Sequence, residues 1–281
     1  MNHAQQLVGV AGEGRIERTH WGSVRPYVMF IMGRCGSTWL SEMLAETGLA
    51  GNPREWLNYG VALHSRHLET ETLGGYFATV LTKNNAGHRF GLQVDPDRLR
   101  DMLPLIDWED VFPPDLTPTF FLYRRDIVAQ AYSFAHAMKT GIWHTSELKA
   151  LTPREGLPTT LEVAAQVVRI RRMEEYASSF CAYYGHTPRF IAYEDLVADP
   201  WGTVWTILRD LGESEERIAA VDRGTEPTST AIKYSDDRDL ELDRFREDYR
   251  RIVDAIERSR FGVDAVSLRD WFAGTAPHGT R

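Results

Sequence analysis

The stretch YVMFIMGRCGSTWLSEML, residues 27–44, determines the fold class. Its first six residues, 27–32, form an unbroken apolar run of strand length, which is typical of a strand buried on both faces of a parallel sheet. A glycine-rich loop follows, and Leu40, Met43 and Leu44 then recur at helical spacing before Gly48 offers a stop. The stretch therefore predicts one strand, loop and helix unit.

Further strands are predicted over residues 119–123, 189–193 and, more weakly, 90–94. Apolar residues at helical spacing follow them over 127–138, 161–184 and 204–211. Because strands alternate with helices, we predict an α/β fold with a P-loop-like, mainly parallel sheet flanked by helices on both faces. Ligands of such sheets bind at the carboxyl ends of the strands.

Composition and length indicate one globular α/β domain over residues 24–281, preceded by a loose, polar N-terminal arm over 1–23. The net charge of −8 argues against a nucleic-acid partner, because binding to a phosphate backbone needs clustered Lys and Arg. No apolar run approaches the ~20 residues that span a bilayer, and no secretory segment is visible, so we expect a cytoplasmic protein without a transmembrane segment. A charged, amphipathic helix is expected from residue 236 onward.

Cysteine and histidine content predicts neither disulfides nor a metal site. Cys35 and Cys181 are the only cysteines, and no Cys/His cluster has metal-ligand spacing. Cys35 precedes a helix start, which is expected to lower its pKa. Without a paired histidine, we still interpret it as an inert loop position.

The loop after the first predicted strand consists of Gly33, Arg34, Cys35, Gly36, Ser37 and Thr38. Glycines allow a sharp turn with amide N–H groups pointing inward, and the first helical turn adds its own free N–H groups. This combination suits a phosphate or sulfate group. The Walker pattern is absent because no Lys precedes Ser37, which counts against a magnesium-dependent kinase or ATPase. A plain helix start with a Ser or Thr cap is the alternative interpretation.

A second anion site is predicted where the strand over 119–123 ends. Arg124 and Arg125 follow that strand, and Ser133 comes about two turns along the next helix, which also carries Gln130 and His136. A guanidinium with a hydroxyl suits a second phosphate. The alternative is a solvated surface pair between Arg125 and the neighbouring aspartate.

Four blocks of sequence, FIMGRCGSTWLSEML, GNPREWL, YRRDIVAQAYSFAHAMKTGIW and AYEDLVADP, resemble the bacterial trehalose sulfotransferase family. That family is a branch of the sulfotransferases that use 3′-phosphoadenosine-5′-phosphosulfate. The resemblance implies that residues 34–38 bind the 5′-phosphosulfate and that Arg124 and Ser133, nine positions apart, bind the 3′-phosphate. In related sulfotransferases the spacing is one residue shorter, so Arg125 is the possible substitute. The resemblance also suggests a homodimer.

The resemblance further assigns Glu55 as the general base. From the residues alone, Glu55 follows Pro53 and is flanked by Trp56 and Leu57, so partial burial is expected to strengthen it as a base. A simple capping role is the alternative.

One departure from the family concerns a lysine of the strand over 90–94, which is Gln93 in this chain. His64, His67 or Lys233 are candidates to supply the missing cation. Lys233 is favoured, since the family has basic residues before the closing helix. Tyr193 is a candidate for the adenine side of the nucleotide site, or simply ends a strand and packs.

These features together predict a sulfotransferase that passes a sulfuryl group to a hydroxyl of a small-molecule, carbohydrate or lipid acceptor, without a metal. The acceptor itself is not determined. Two alternatives stay open: a small-molecule kinase, and a nucleotide-binding relative that has lost catalysis. Retention of Glu55 favours catalysis, whereas Gln93 keeps the second alternative open.

Overall fold

A computed structural model describes residues 2–18, 22–64, 70–143, 157–223 and 236–260, the first four of the last range as backbone alone. In this part of the chain one sheet contains β1 (Arg25–Ile31), β2 (Arg89–Val94), β3 (Thr119–Tyr123) and β4 (Arg189–Ala192). Its strand order is β2-β1-β3-β4, and every neighbouring pair is parallel. The predicted α/β fold with a parallel sheet is confirmed.

Helices cover both faces of the sheet. They are α1 (His3–Ala11), α2 (Ser37–Glu46), α3 (Tyr59–His64), α4 (Leu73–Asn84), α5 (Pro96–Met102), α6 (Trp108–Val111), α7 (Ile127–Thr140), α8 (Thr160–Tyr184), α9 (Tyr193–Ala198), α10 (Pro200–Asp210), α11 (Glu215–Ala219), α12 (Asp236–Asp248) and α13 (Arg250–Ser259). A short 3-10 helix, Leu103–Leu105, follows α5. The longest helix, α8, starts at a capping box in which Thr159 and Glu162 satisfy each other's backbone N–H groups.

Strand β1 is buried on both faces, as its sequence predicts. Val28 and Phe30 belong to a core formed with helices α4, α5, α7 and α8. Met29 and Ile31 face the opposite way, into a second core formed with α2 and α10. Because successive side chains of a strand point to opposite faces, an all-apolar run is what a central strand between two helical layers requires.

The N-terminal segment is not the loose arm that its polarity predicts. Residues 3–11 form α1, which Asn2 and Gln5 start with a capping box and which packs against α3 and α5. Leu7 and Ile16 are fully buried in the core. A few apolar residues in a polar segment are enough to anchor it, because each is removed completely from water. The division of the chain into an arm and a domain stays a prediction.

Residues 58–87, which show no clean pattern in the sequence, contain α3 and α4. Tyr76, Phe77 and Val80 of α4 are fully buried. The segment is therefore a part of the core and not only an excursion over the strand ends. At the other end of the chain, the expected closing helix is divided between α12 and α13.

The segment before α3 runs alongside β2 and positions Glu55. The backbone N–H of Gln93 donates to the carbonyl of Arg54 at 2.9 Å, which forms an isolated parallel bridge. Gly51 permits this close approach, since a Cβ there would lie 2.5 Å from the carbonyl oxygen of Arg89. The chain thus brings Glu55 to the carboxyl end of β2.

His186 lies in a buried hydrogen-bonded network between α6 and the start of β3. The indole N–H of Trp108 donates to Nε2 of His186 at 3.0 Å, and Nδ1 lies 3.0 Å from the hydroxyl of Thr119. Since an indole nitrogen can only donate, Nε2 is the acceptor and Nδ1 carries the proton of a neutral ring. Burial lowers the pKa of His186 to about 4.

This network predicts a loss of stability in mild acid. The folded-state pKa lies below the ordinary value of 6.5, so the contribution is complete above that pH and is lost as the pH falls towards 4. Between pH 7 and pH 5 the loss amounts to about 2 kcal/mol. Denaturant unfolding at pH 7 and pH 5 gives the change in the free energy of unfolding for the wild type and for His186→Gln. The difference between these two changes is the contribution of His186.

The comparison with the variant is needed because Asp95, whose pKa is raised to about 6, acts in the opposite direction over the same range. His64→Gln, which removes an exposed histidine, is the matched control and should follow the wild type. An equal pH dependence in the wild type and His186→Gln would contradict the neutral buried ring.

Candidate active site

The carboxyl ends of the four strands lie at one edge of the sheet because all of its strands are parallel. At this edge β1 leads into the glycine loop and β2 into Asp95. Strand β3 leads into Arg124, and β4 leads into Tyr193. The fold therefore gathers the predicted site residues of four separate parts of the chain.

The glycine loop turns sharply between β1 and α2. Gly33, Arg34 and Gly36 have φ angles of 62°, 56° and 83°, in the left-handed region that favours glycine and strains Arg34. A Cβ on Gly33 would lie 2.9 Å from the ring of Phe134, and one on Gly36 would lie 2.7 Å from the ring of Tyr193. The loop needs both glycines for its turn and for its packing between α7 and α9.

Helix α2 begins without a side-chain cap. Its N-cap is Gly36, no side-chain hydrogen bond caps the helix start, and Ser37 and Thr38 already belong to the first turn. The alternative interpretation of a Ser or Thr cap is therefore wrong. The end of this ten-residue helix instead offers backbone N–H groups and the positive end of its dipole towards the loop.

Cys35 is fully buried within the loop. Burial raises the pKa of its thiol to about 11, although hydrogen bonds with neighbouring groups oppose the rise. The expected lowering by the helix start is thus wrong, because desolvation of the thiolate outweighs the helix dipole. A thiol in this state is a poor nucleophile, which agrees with an inert position.

Gln130 of α7 holds the entry to the loop. Its side chain is fully buried, and its amide donates to the carbonyls of Met32 at 3.2 Å and Gly33 at 2.8 Å. A buried amide with these bonds ties the start of the loop to the helix behind it. The sequence marked Gln130 only as a polar residue beside Ser133, and its partners became visible only in the fold.

Arg34 connects the glycine loop to the predicted second anion site. Its Nε donates to the hydroxyl of Ser133 at 3.0 Å, and its Nη1 donates to the carbonyl of Trp143. Burial and the positive charge of Arg34 both lower the pKa of His136, which lies on the same helix as Ser133. That histidine is therefore neutral at neutral pH and adds no charge to the site.

Arg124 lies over the ring of Tyr193, with 4.7 Å between the guanidinium carbon and the ring centre. Its Nε is buried and makes no hydrogen bond within the described residues, and the nearest carboxylate oxygen, on Glu194, is 3.8 Å away. A buried cationic N–H group that makes no hydrogen bond within the described residues can donate to a bound anion. Tyr193 begins α9 and does not end the strand, and its ring packs against both Arg124 and Gly36.

Arg125 points into a surface ion pair. Its Nη1 and Nη2 donate to the two carboxylate oxygens of Asp195 at 2.7 and 2.5 Å, and this contact raises the pKa of Arg125. The alternative pairing with Asp126 is not formed, because Asp126 caps α7 and pairs with Arg246. Its half-exposed, occupied guanidinium makes Arg125 the poorer candidate for a phosphate.

Glu55 is held through one of its two carboxylate oxygens. Arg98 of α5 forms a salt bridge with Oε2, and the amide of Asn58 donates to the same atom at 3.3 Å. Within the described residues Oε1 accepts no hydrogen bond. Burial lowers the pKa of Arg98 to about 10, so the guanidinium remains charged at neutral pH.

The surroundings of Glu55 differ from the apolar flank that its neighbours predict. The indole of Trp56 turns into the core and donates to the carbonyl of Asn52, while the Glu55 side chain is 27% exposed beside Arg98. Adjacent side chains of an irregular segment need not point the same way. The apolar neighbours of Glu55 in sequence therefore did not predict the environment of its carboxylate.

Gln93, which replaces the family lysine, ties the end of β2 to the start of α2. Its amide donates to the carbonyl of Ser37 at 3.1 Å and to the hydroxyl of Ser41. Gln93, Glu55 and Arg98 line one small cavity. Arg98 therefore brings a cation to the place where Gln93 has none. Arg98 was not predicted from the sequence, although Asp95-Pro96, a helix-start signal, places it within one turn of the strand end.

Of the other candidate cations, His64 does not line this cavity. His64 is exposed at the end of α3, where its Nδ1 lies 2.7 Å from the carbonyl of Gly60 in its own helix. His67 and Lys233 lie outside the described residues.

A search of the described residues finds no group of three or more His, Cys, Asp or Glu side chains with the arrangement of a metal site. Among the described helices none is both long enough and apolar enough to cross a membrane.

Comparison with known proteins agrees with the fold and the motifs. A model of the Stf0 sulphotransferase family matches residues 26–248, from the first strand to the end of α12. A search of curated proteins found no match. The family match covers most of the chain and confirms the resemblance that the sequence blocks indicate. The chain belongs to the Stf0 sulphotransferase family, and its activity is that of a sulfotransferase.

Proposed function

We propose that this sulfotransferase uses 3′-phosphoadenosine-5′-phosphosulfate as donor and a hydroxyl compound as acceptor, with Glu55 as the base. One arrangement carries the proposal. The glycine loop after β1 and Arg124 after β3 both pack against the ring of Tyr193, the loop through Gly36 and Arg124 through its guanidinium. Two separated anion sites suit a nucleotide that carries both a 5′-phosphosulfate and a 3′-phosphate.

The glycine loop has the features that a phosphosulfate group needs. Gly33 and Gly36 permit the sharp turn of the loop, and the first turn of α2 has no side-chain cap. The loop amides and Arg34 would hold the negative oxygens and stabilise the charge that develops on the leaving phosphate. When bound, the donor supplies the sulfuryl group that passes to the acceptor by in-line displacement, which releases adenosine 3′,5′-bisphosphate.

Arg124 and Ser133 are the proposed ligands of the 3′-phosphate. Arg124 has a buried Nε without a hydrogen bond in the described residues, whereas Arg125 is committed to Asp195. The contact between Arg34 and Ser133 links this site to the loop. The ring of Tyr193 offers an apolar face beside both sites, which supports its role on the adenine side.

Glu55 is the proposed general base through its Oε1 atom. Arg98 and Asn58 hold Oε2, which fixes the plane of the carboxylate and leaves Oε1 to take the proton of the acceptor hydroxyl. Arg98 also places a positive charge beside the carboxylate. Gln93, which lines the same cavity as Glu55, donates to the carbonyl of Ser37 in the first turn of α2, the helix that follows the loop.

The acceptor is proposed only as a hydroxyl of a small molecule, carbohydrate or lipid, and the family resemblance supports a homodimer. Incubation with sulfur-labelled donor and a metabolite extract, followed by mass spectrometry for a gain of sulfate, tests the function. Transfer of label to a hydroxyl compound is expected. Modification that needs magnesium-ATP and ignores the donor would favour the kinase alternative, and nucleotide binding without any transfer would favour a non-catalytic relative.

Replacing the base should separate binding from turnover. In Glu55→Gln we expect kcat to fall by on the order of 10² to 10⁴, because the amide cannot accept the proton. The dissociation constant of adenosine 3′,5′-bisphosphate should not change. Steady-state kinetics and calorimetry measure the two quantities. Glu42→Gln on the exposed face of α2 is the control. Wild-type turnover in Glu55→Gln would remove Glu55 from the mechanism.

The two adjacent arginines should differ in their effect on nucleotide affinity. Arg124→Met should weaken adenosine 3′,5′-bisphosphate about 10-fold to 100-fold, as expected for a lost charge-assisted contact of about 1.5–3 kcal/mol. Arg125→Met should have little effect, since it removes only an exposed pair with Asp195. Titration calorimetry of the two variants measures both affinities. A larger loss of affinity in Arg125→Met than in Arg124→Met would make Arg125 the ligand of the 3′-phosphate.

A further inference from the structure

Arg260, directly after α13, reaches from the end of the described chain to the proposed 3′-phosphate site. Its side chain is only 3% exposed. Nη2 donates to the carbonyl of Arg124 at 2.7 Å, and Nη1 donates to the carbonyl of Arg125 at 2.8 Å. One guanidinium therefore holds two consecutive backbone groups that lie 135 and 136 residues away in sequence.

The two carbonyls lie beyond the end of the sheet. The parallel ladder between β3 and β4 ends at the pair Tyr123 and Ala192, so the next residues have left the strand. Partly buried backbone carbonyls outside a strand still need a hydrogen-bond donor. Arg260 supplies it, and it does so at the residue whose side chain is the proposed phosphate ligand, Arg124.

Glu174 of α8 fixes Arg260 in this position. The two side chains form an ion pair at 2.6 Å, with Glu174 1% exposed, and Arg171 donates to the other carboxylate oxygen at 2.8 Å. Desolvating two charges is expensive and often returns little net stability. A buried pair that also donates to two carbonyls is better explained by the geometry that it imposes on them.

A second contact draws the same segment towards the C-terminal helices. Arg246 of α12 pairs with Asp126 at 2.6 Å, and Asp126 caps α7, the helix that carries Ser133. Arg246 and Arg260 thus hold three consecutive residues, 124–126, of the link between β3 and α7.

We propose that Arg260, held by Glu174, is a positioning residue for the 3′-phosphate site: it fixes the backbone from which Arg124 projects. The inference rests on the proposed donor. It predicts that Arg260 contributes to recognition of the 3′-phosphate without touching the nucleotide.

The test compares two nucleotides that differ only in the 3′-phosphate. Calorimetry gives the dissociation constants of adenosine 3′,5′-bisphosphate and of AMP for the wild type, Arg260→Met, Arg260→Lys and Glu174→Gln. We expect Arg260→Met to reduce the preference for the bisphosphate about tenfold, close to 1.4 kcal/mol. Arg260→Lys should show a smaller loss, because an ammonium group cannot span both carbonyls and the carboxylate.

The ratio of the two constants is insensitive to partial unfolding, since a smaller folded fraction weakens both nucleotides equally. Glu174→Gln keeps an acceptor for Arg260 and serves if Arg260→Met does not fold. Arg258→Met is the matched control, because Arg258 is exposed and donates only to the carbonyl of Asp254 in its own helix. It should retain the wild-type ratio.

An unchanged ratio in Arg260→Met, Arg260→Lys and Glu174→Gln would overturn the positioning role. This includes the case in which both nucleotides lose affinity by the same factor. A wild-type protein that does not prefer the bisphosphate over AMP would instead overturn the proposed donor, and with it this inference. A lowered ratio in the Arg260 and Glu174 variants, with Arg258→Met unchanged, supports both.

Discussion

The close packing of the glycine loop between α7 and α9 is the constraint on which the rest of the site depends. Phe134 leaves no room for a side chain at Gly33, and Tyr193 leaves none at Gly36. The same contacts bring α7 and α9 against the loop, so the groups that these helices carry arrive beside it. Gln130 then ties the loop entry to α7 through two carbonyls.

Charged side chains around the site have partners that limit what each can do. Arg125 forms a surface ion pair with Asp195, and Arg98 forms an ion pair with Glu55. Arg124 is the exception, held over an aromatic ring and not by a close carboxylate. In a chain with a net charge of −8, such local arrangements of arginine make anion binding possible where the overall charge opposes it.

Strand and loop positions followed from sequence because their signals are local. The apolar run of β1 predicted a strand buried on both faces, and the glycines predicted the turn that follows it. Failures came where a distant partner decides the outcome. The nearby helix start was expected to lower the pKa of the Cys35 thiol, but burial by the surrounding core raises it. The helix of residues 3–11 is stabilised by burying Leu7 and Ala11 against other helices, which a short polar sequence does not reveal.

Sequence alone determined the α/β class, the family and several of the residues that lie at the strand ends. Tertiary structure decided which of them contact one another: Arg34 with Ser133, Arg98 with Glu55, and Arg260 with the backbone of Arg124. The reason is physical. Patterns along the chain record burial and turns, whereas hydrogen bonds and ion pairs between remote residues depend on side-chain directions that only the packed fold specifies.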